Sequence, residues 1–129
     1  MIKLVESPID PAAAYDSICS AFSGSVVFHY AVVKKQAGSG KSTTAIEYKS
    51  QGDTVREMED IARELEQRWG LEDVLIIRRT GSLAVGEIIS LVAASSPSSE
   101  DAFEACKSGI SRMKKMSTIL KTEKFIDIA

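Results

Sequence analysis

Residues 96–125 read SPSSEDAFEACKSGISRMKKMSTILKTEKF, and the expected fold is built outward from this stretch. Its apolar and small residues recur in steps of three and four, the period of one helical face, which predicts a single amphipathic helix. The positions on that face are Phe103, Cys106, Ile110, Met113, Ser117 and Leu120. Ser98 stands three residues before Asp101, a spacing typical of a helix N-terminus. The sequence therefore marks the start of the helix better than its end.

The same stretch is locally basic. Lys107, Lys114 and Lys121 follow one another at intervals of seven residues, so they share a side of the predicted helix next to the apolar face. Such a stripe is usually a solvated surface. A functional role for it needs support from the rest of the chain.

Length and composition fit one globular domain over residues 1–129. The chain is 44% hydrophobic and 26% charged, which is enough apolar material for a core, and its net charge of -2 gives no overall nucleic-acid footprint. Two cysteines, Cys19 and Cys106, are too few for a disulfide framework and are expected to be reduced thiols in or near the core. Since neither an apolar signal core nor a membrane-length run is present, we expect a cytoplasmic protein without membrane contact.

Helix and strand patterns alternate along the chain. Strands are predicted at 2–5, 25–35, 43–50, 73–79, 87–94 and 124–128, and helices at 11–19 and 53–69 and in the stretch quoted above. Residues 25–50 are predicted to form one hairpin whose tip carries Lys34, Lys35 and Lys41. Because two links are hairpin-like, the pattern favours an α+β fold with a mixed or antiparallel sheet and about three helices.

The string GSGKST from Gly38 to Thr43 resembles the end of a phosphate-binding P-loop. A P-loop needs a further glycine five residues before the glycine of its GK pair, and a helix after it. Here Lys35 occupies that earlier position, and a β-branched, strand-like pattern follows. A nucleotide-binding module is therefore the weaker hypothesis, and a glycine-rich hairpin tip the stronger one.

Few other side chains suggest chemistry on their own. His29 is the single histidine and has no acidic or cysteine partner at ligand spacing, so we predict neither a metal site nor a bound cofactor. Arg78 and Arg79 end an apolar strand. Because side chains alternate along a strand, one of them is expected to face a ligand and the other solvent.

The second half of the chain resembles the large, catalytic subunit of molybdopterin synthase. The pieces that match, in order, are RWGL at 68–71, a strand ending in Arg78 and Arg79, the pattern G-x-L-x-V-G-E at 81–87, a serine at 95 or 96, and AFEA at 102–105. The resemblance extends back to SGSVVF and forward to Lys121, about four fifths of the chain, and the combined order is far more specific than any one piece. It implies a single hammerhead-like α+β domain.

This resemblance implies a sulfur-transfer reaction in molybdenum cofactor biosynthesis. The family adds two sulfurs to cyclic pyranopterin monophosphate and so makes the dithiolene that holds molybdenum or tungsten. Sulfur arrives as a thiocarboxylate on the C-terminal Gly-Gly tail of a small ubiquitin-like carrier subunit. The implied assembly is a homodimer flanked by two carriers.

The resemblance also assigns candidate site residues. Lys114 and Lys121 fall at the two active-site lysines of the family, which implies proton transfer by Lys114, and contact of Lys121 with the carrier's tail to form or stabilise an acyl intermediate. Lys34 falls at a family arginine and is expected to help hold phosphate, without the two-pronged fork of arginine. The remaining predicted substrate-binding residues are Lys35, Arg79, Ser98 and Ser99.

Two departures from the family pattern suggest an alternative. Ser98 and Ser99 stand where the family has a His-Arg pair, and Thr118 and Leu120 replace a proline and an aromatic residue. The alternative function is that of a non-catalytic relative, which binds the carrier's tail without turnover.

Overall fold

The computed structural model describes residues 1–38 and 40–127, and within them eight strands and three helices. In chain order they are β1 (Ile2–Val5), α1 (Pro11–Ser17), β2 (Ser25–Val32), β3 (Ala37–Gly38), β4 (Lys41–Ser50), α2 (Thr54–Arg68), β5 (Asp73–Arg79), β6 (Gly81–Ala84), β7 (Ile88–Ser96), α3 (Ser99–Lys114) and β8 (Ile119–Asp127). The predicted α+β class is confirmed.

The strands form two sheets. The first has the order β1-β5-β7-β2, with β1 and β5 parallel and the other neighbours antiparallel. In the second, β4 pairs antiparallel with β3, β6 and β8. One mixed and one antiparallel sheet agree with the predicted arrangement.

Helices cover both faces of the first sheet. On one face α2 and α3 enclose a core that includes Met58, Val74 and Val92. On the other face α1 places Ala14 against Leu75. Because successive residues of a strand point to opposite faces, β5 buries side chains on both of them. This two-sided burial explains why 73–79 reads as an almost continuous apolar run.

Each helix begins at a side-chain cap. Asp10, Asp53 and Ser98 each accept a hydrogen bond from a backbone N–H in the first turn of α1, α2 and α3. Pro11 fits the first position of α1, where a backbone N–H has no helical acceptor. The predicted helix starts are therefore confirmed. None of the helices in residues 1–38 and 40–127 is long and apolar enough to cross a membrane.

The predicted hairpin over residues 25–50 is wrong. β2 pairs with β7 in the first sheet, whereas β4 belongs to the second. The ladder between β2 and β7 becomes irregular at Ala31 and Val32. Val33 then exchanges backbone hydrogen bonds of 2.8 and 3.0 Å with Gly86 and Glu87, which directs the chain toward the second sheet. The hairpin in this region is the short one that joins β3 to β4.

The P-loop hypothesis fails on the same segment. A P-loop requires a helix after its lysine, and Lys41 instead begins β4. The residues after it pair with β8 along the whole length of β4. Backbone N–H groups that serve a sheet ladder are not free to surround a phosphate.

The helix predicted for 96–125 starts correctly but is too long and is rotated. α3 ends at Lys114, and the chain continues into β8. Phe103 is 63% exposed, while Ala102 and Gly109 are buried against the sheet. A Cβ on Gly109 would lie 2.8 Å from Cγ1 of Val92, so only small residues permit this close approach. The buried face keeps Cys106 and Met113 of the predicted stripe but is turned away from Phe103 toward small residues such as Ala102 and Gly109.

The predicted C-terminal strand is present, and the two cysteines differ in their exposure. The strand at 124–128 is confirmed as the end of β8, although Ile128 lies outside the described residues. Cys106 is buried, and burial raises the pKa of its thiol to about 11, so it stays protonated at neutral pH. Cys19 is exposed, so its expected place near the core is wrong.

Candidate functional site

A pocket of about 310 Å³ lies where the C-terminal end of α3 meets both sheets. Residues of β2, β5 and β7 line it from the first sheet, and residues of β4 and β8 from the second. The lining side chains with polar groups are His29, Tyr48, Arg78, Ser90, Lys114 and Lys121. Among the described lining residues there is no aspartate or glutamate, so the pocket is cationic.

Strand register brings the first-sheet residues together. Arg78 of β5 is opposite Ser90 of β7, and Ser90 is opposite Ala31 of β2. Directly opposed residues place their side chains on the same face of a sheet, so these three side chains line the pocket together. His29 precedes Ala31 by two positions and therefore shares that face.

The second sheet contributes a lysine and the aromatic ring beside it. Tyr48 of β4 and Lys121 of β8 are direct cross-strand partners. The buried ring of Tyr48 stacks on the guanidinium of Arg78, whose Cζ lies 4.5 Å from the ring centroid. Tyr48 therefore connects the strand that carries Lys121 to the first sheet.

Arg78 is a buried cation with no counter-ion among residues 1–38 and 40–127. It is 7% exposed, its Nε has no hydrogen-bond partner, and no ion pair among the described residues includes it. Burial lowers the pKa of Arg78, but a guanidinium remains charged at neutral pH. Because a buried charge without a partner is costly, this side chain is suited to receive an anion.

The two predicted catalytic lysines both line this pocket. Lys114 is the last residue of α3, where the negative end of the helix dipole favours an ammonium group. Lys121 lies in β8, after the chain has turned back past the helix end. Both residues are exposed, so a partner can reach them from solvent.

His29 is a pocket residue for which the sequence predicted no functional role. Its pKa is lowered by partial burial and by the charge of Lys114, so the imidazole is neutral at neutral pH. No local spacing could have revealed this, because its pocket neighbours come from other elements. Within the described residues no group of three or more His, Cys, Asp and Glu side chains could hold a metal ion.

Comparison with known proteins gives the family. The family described as MoaE protein matches residues 4–116. This chain belongs to the MoaE family. The molybdopterin synthase catalytic subunit of Pyrococcus abyssi is 30% identical over 125 residues, which cover 95% of this chain and 84% of that protein. The one from Bacillus subtilis is 27% identical over 122 residues, covering 94% and 77%.

Solved structures agree with this assignment. Molybdopterin synthase from Staphylococcus aureus aligns with a TM-score of 0.88 at 27% identity, covering 97% of this chain and 91% of that one. A structure from Helicobacter pylori, described as a complex of subunits 1 and 2 of molybdopterin-converting factor, has a TM-score of 0.76 at 14% identity and supports the fold alone. The resemblance to the molybdopterin synthase catalytic subunit found in the sequence is confirmed, and the relatives support a role in molybdenum cofactor biosynthesis.

The arginine beside the lysines in this MoaE chain is Arg78 rather than the predicted Arg79. Arg79 lies on the opposite face, where one terminal nitrogen is 3.3 Å from a carboxylate oxygen of Glu87 and its Nε donates to the carbonyl of Glu6 at 3.1 Å. The two arginines lie on opposite faces as predicted, but Arg79 does not face solvent, since its side chain is only 12% exposed. The sequence alone gave no means of deciding which arginine faces the pocket.

The predicted residues Ser98 and Ser99 lie at the other end of α3. Ser98 caps the helix, and the hydroxyl of Ser99 is 2.6 Å from that of Ser25. Since α3 has 16 residues, its two ends are roughly 22 Å apart. Neither serine lines the pocket of its own chain, and their contact with substrate stays a prediction.

Lys34 and Lys35 lie in the segment that leaves β2, just after Val32 at the edge of the pocket. Both are exposed, and neither is a lining residue. They therefore lie outside the pocket, next to its edge. Their role in phosphate binding also stays a prediction.

Proposed function

We propose that this chain is the catalytic subunit of a molybdopterin synthase. It transfers sulfur from the C-terminal thiocarboxylate of a small ubiquitin-like carrier to cyclic pyranopterin monophosphate. The observation that carries this proposal is that Lys114, Lys121 and Arg78 line one pocket without a neutralising carboxylate among the described lining residues. The carrier's tail and the substrate's phosphate are both anions, so a pocket of this charge attracts both.

Arg78 supplies the most directed contact in this proposal. Its planar guanidinium can donate two parallel hydrogen bonds to a carboxylate or phosphate, and it is buried with an unpaired Nε. Tyr48 fixes the plane of the guanidinium by stacking on it. An oxyanion bound there would balance the charge of Arg78.

The lysines and His29 perform the proton transfers. As sulfur leaves the carrier, oxygen from water takes its place and the tail becomes a carboxylate, so protons have to be moved. Lys121 contacts the tail and forms or stabilises the acyl intermediate, while Lys114 transfers protons. Burial and the nearby Lys114 lower the pKa of His29, so its imidazole is neutral at neutral pH and has one unprotonated ring nitrogen available as an acceptor.

We further propose that the chain forms a homodimer flanked by two carrier subunits. The Helicobacter pylori structure of the same fold is described as a complex of two subunits, so that protein assembles with a second subunit. The exposed positions of Val32 and Lys121 at the pocket edge give an extended tail a way in from solvent. Lys34 and Lys35, next to this edge, would meet the anionic part of the substrate.

A single-turnover assay tests the proposal. The chain is mixed with thiocarboxylated carrier and cyclic pyranopterin monophosphate, and dithiolene product is measured for the wild type and for Lys114→Ala and Lys121→Ala. We expect product from the wild type and a loss of about 100-fold or more in each variant. Lys107→Ala is the matched control, because Lys107 is an exposed α3 lysine outside the pocket. Equal rates in all four proteins would contradict the proposed roles.

The alternative is a relative that binds the carrier without turnover. It is favoured by the use of Ser98 as a helix cap and of Ser99 in a hydrogen bond with Ser25, at positions where the family resemblance implies a His-Arg pair. Tight carrier binding without product from the wild type would select this alternative.

A further inference from the structure

The two pocket lysines lie on either side of a short turn between α3 and β8. Residues 115–118 leave α3 after Lys114 and enter β8 before Lys121. The path of this short turn determines where both side chains point. What holds the turn therefore bears directly on the geometry of the pocket.

The turn is held by one carboxylate from α2. Glu57 accepts four hydrogen bonds: from Ser117 N at 2.9 Å, Ser117 Oγ at 3.1 Å, Thr118 N at 3.1 Å and Thr118 Oγ1 at 2.6 Å. An ionised carboxylate offers about four lone-pair sites, so these bonds use its full accepting capacity. Every N–H and O–H donor of the two residues is bound to the same side chain.

Further bonds tie the same turn to the start of α2. The carbonyl of Thr118 accepts from Gln51 N at 2.7 Å and from Thr54 Oγ1 at 3.3 Å. Met116, inside the turn, is buried and lines the pocket. The turn is thus fixed on its outer side by polar contacts and on its inner side by packing.

We infer that Glu57 is a positioning residue, which fixes Ser117 and Thr118 so that Lys114 and Lys121 enter the same pocket. Lys114 lies three residues before Ser117, and Lys121 three residues after Thr118. Glu57 itself is not a pocket residue. It acts on the reaction only through the turn, and this inference rests on the proposed function of the two lysines.

Kinetics of Glu57→Gln test this role. Glutamine keeps the length of the side chain but has one acceptor oxygen, and its amide nitrogen would face the donors of the turn. We expect kcat to fall about tenfold to a hundredfold, because small displacements of reacting groups have effects of this size, while KM for the carrier changes little. Glu59→Gln, an exposed glutamate in the same helix, is the control. An unchanged kcat in Glu57→Gln would overturn the inference.

A second measurement reports lysine geometry without turnover. The folded chain is treated with a short bifunctional amine-reactive reagent, and peptide mass spectrometry gives the yields of the 114–121 and 107–114 links. Both ends of the second link lie in α3, so it serves as an internal reference. We expect the ratio of the first link to the second to fall in Glu57→Gln and to stay constant in Glu59→Gln.

The two measurements separate two kinds of failure. If the wild type gives no product but the link ratio still depends on Glu57, the proposed function fails and the positioning role stands. If the link ratio is the same in the wild type and Glu57→Gln, the positioning role fails whatever the turnover.

A double variant tests whether Glu57 and Thr118 act through the same contact. We expect Glu57→Gln combined with Thr118→Val to lower kcat no further than Glu57→Gln alone. Fully additive losses in kcat would contradict this shared route.

Discussion

Two lysine-bearing segments of this chain differ in how they are held. The connection from β2 to β3 carries Lys34 and Lys35, which take part in none of the hydrogen bonds or ion pairs found in the described part of the chain. The connection from α3 to β8 is bound to α2 through Glu57 and places a lysine of each flanking element in the pocket. Both segments are basic in the sequence: the free segment, 33–36, carries two lysines, and the anchored segment, 114–121, carries Lys114, Lys115 and Lys121.

The difference shows that lysine density does not locate a catalytic site. A free ammonium group on a long side chain attracts anions from many directions. It therefore speeds encounter with an anionic substrate but does not fix the orientation of that substrate. An ammonium whose backbone is fixed on both sides can be aimed at one atom. The anchored segment is therefore suited to chemistry, and the free one to attraction of the substrate.

The sharpest test of this comparison is a change of lysine to arginine in the anchored segment. Lys121→Arg keeps the positive charge but removes the amine that could form an acyl intermediate or give up a proton. We expect single-turnover product formation to fall about 100-fold or more, with carrier affinity largely kept. Retention of the full rate in Lys121→Arg would show that Lys121 contributes only its positive charge.

Arg78→Met should separate function from stability. Methionine can fill the space against Tyr48 while removing a buried charge that has no counter-ion in the described part of the chain, so we expect unchanged or increased stability. Binding of the pterin phosphate should weaken about tenfold or more, because hydrogen bonds to charged groups contribute roughly 1.5–3 kcal/mol. Thermal unfolding and substrate titration measure the two effects. Arg79→Met, on the opposite face, should leave substrate affinity unchanged.

Gly109→Ala tests the packing of α3, the helix that carries Lys114. Alanine normally favours a helix by up to about 1 kcal/mol over glycine. Here its Cβ would lie 2.8 Å from Val92 and 3.1 Å from Leu65, and such overpacking typically costs about 1–3 kcal/mol. We expect a net loss of stability in denaturant unfolding. Ser111→Ala, at an exposed position of α3, should not show it.

Lys34→Arg makes the same substitution in the free segment as Lys121→Arg makes in the anchored one. Arginine retains the charge and adds a fork that matches phosphate oxygens. We expect KM for the pterin substrate to decrease a few-fold, roughly 1 kcal/mol or less, with kcat unchanged. Increasing salt should reduce this gain, since exposed charges are screened. A large fall in kcat would show that Lys34 is as closely positioned as Lys121.

The smallest expected effect is a pH dependence of stability that comes from Glu57. Partial burial alone would raise the pKa of Glu57, but its hydrogen bonds from Thr118 and Ser117 outweigh burial and lower it. The contribution to stability is therefore complete above the pKa of the unfolded chain and is lost as pH falls through the lower folded value. Denaturant unfolding of Glu57→Gln at several acidic pH values should show a weaker decline than the wild type. Identical pH profiles would contradict this origin.

Local patterns in the sequence determined several parts of this protein correctly. Ser98 marked the start of α3, because a capping bond joins residues only a few positions apart, and α1 and α2 begin within one residue of the predicted positions 11 and 53. The run at 73–79 identified the central strand β5, and the order of short motifs identified the family. The family pattern also selected Lys114 and Lys121, which line one pocket.

Only the tertiary structure decided how these parts meet. It paired β2 with β7 rather than with β4, it turned Arg78 and not Arg79 into the pocket, and it ended α3 at Lys114. The bonds from Glu57 to Ser117 and Thr118 span 60 and 61 residues. Contacts at such separations leave no periodic trace in the chain, since they depend on how whole elements pack. For that reason the sequence named the two lysines, and the fold determined what surrounds and holds them.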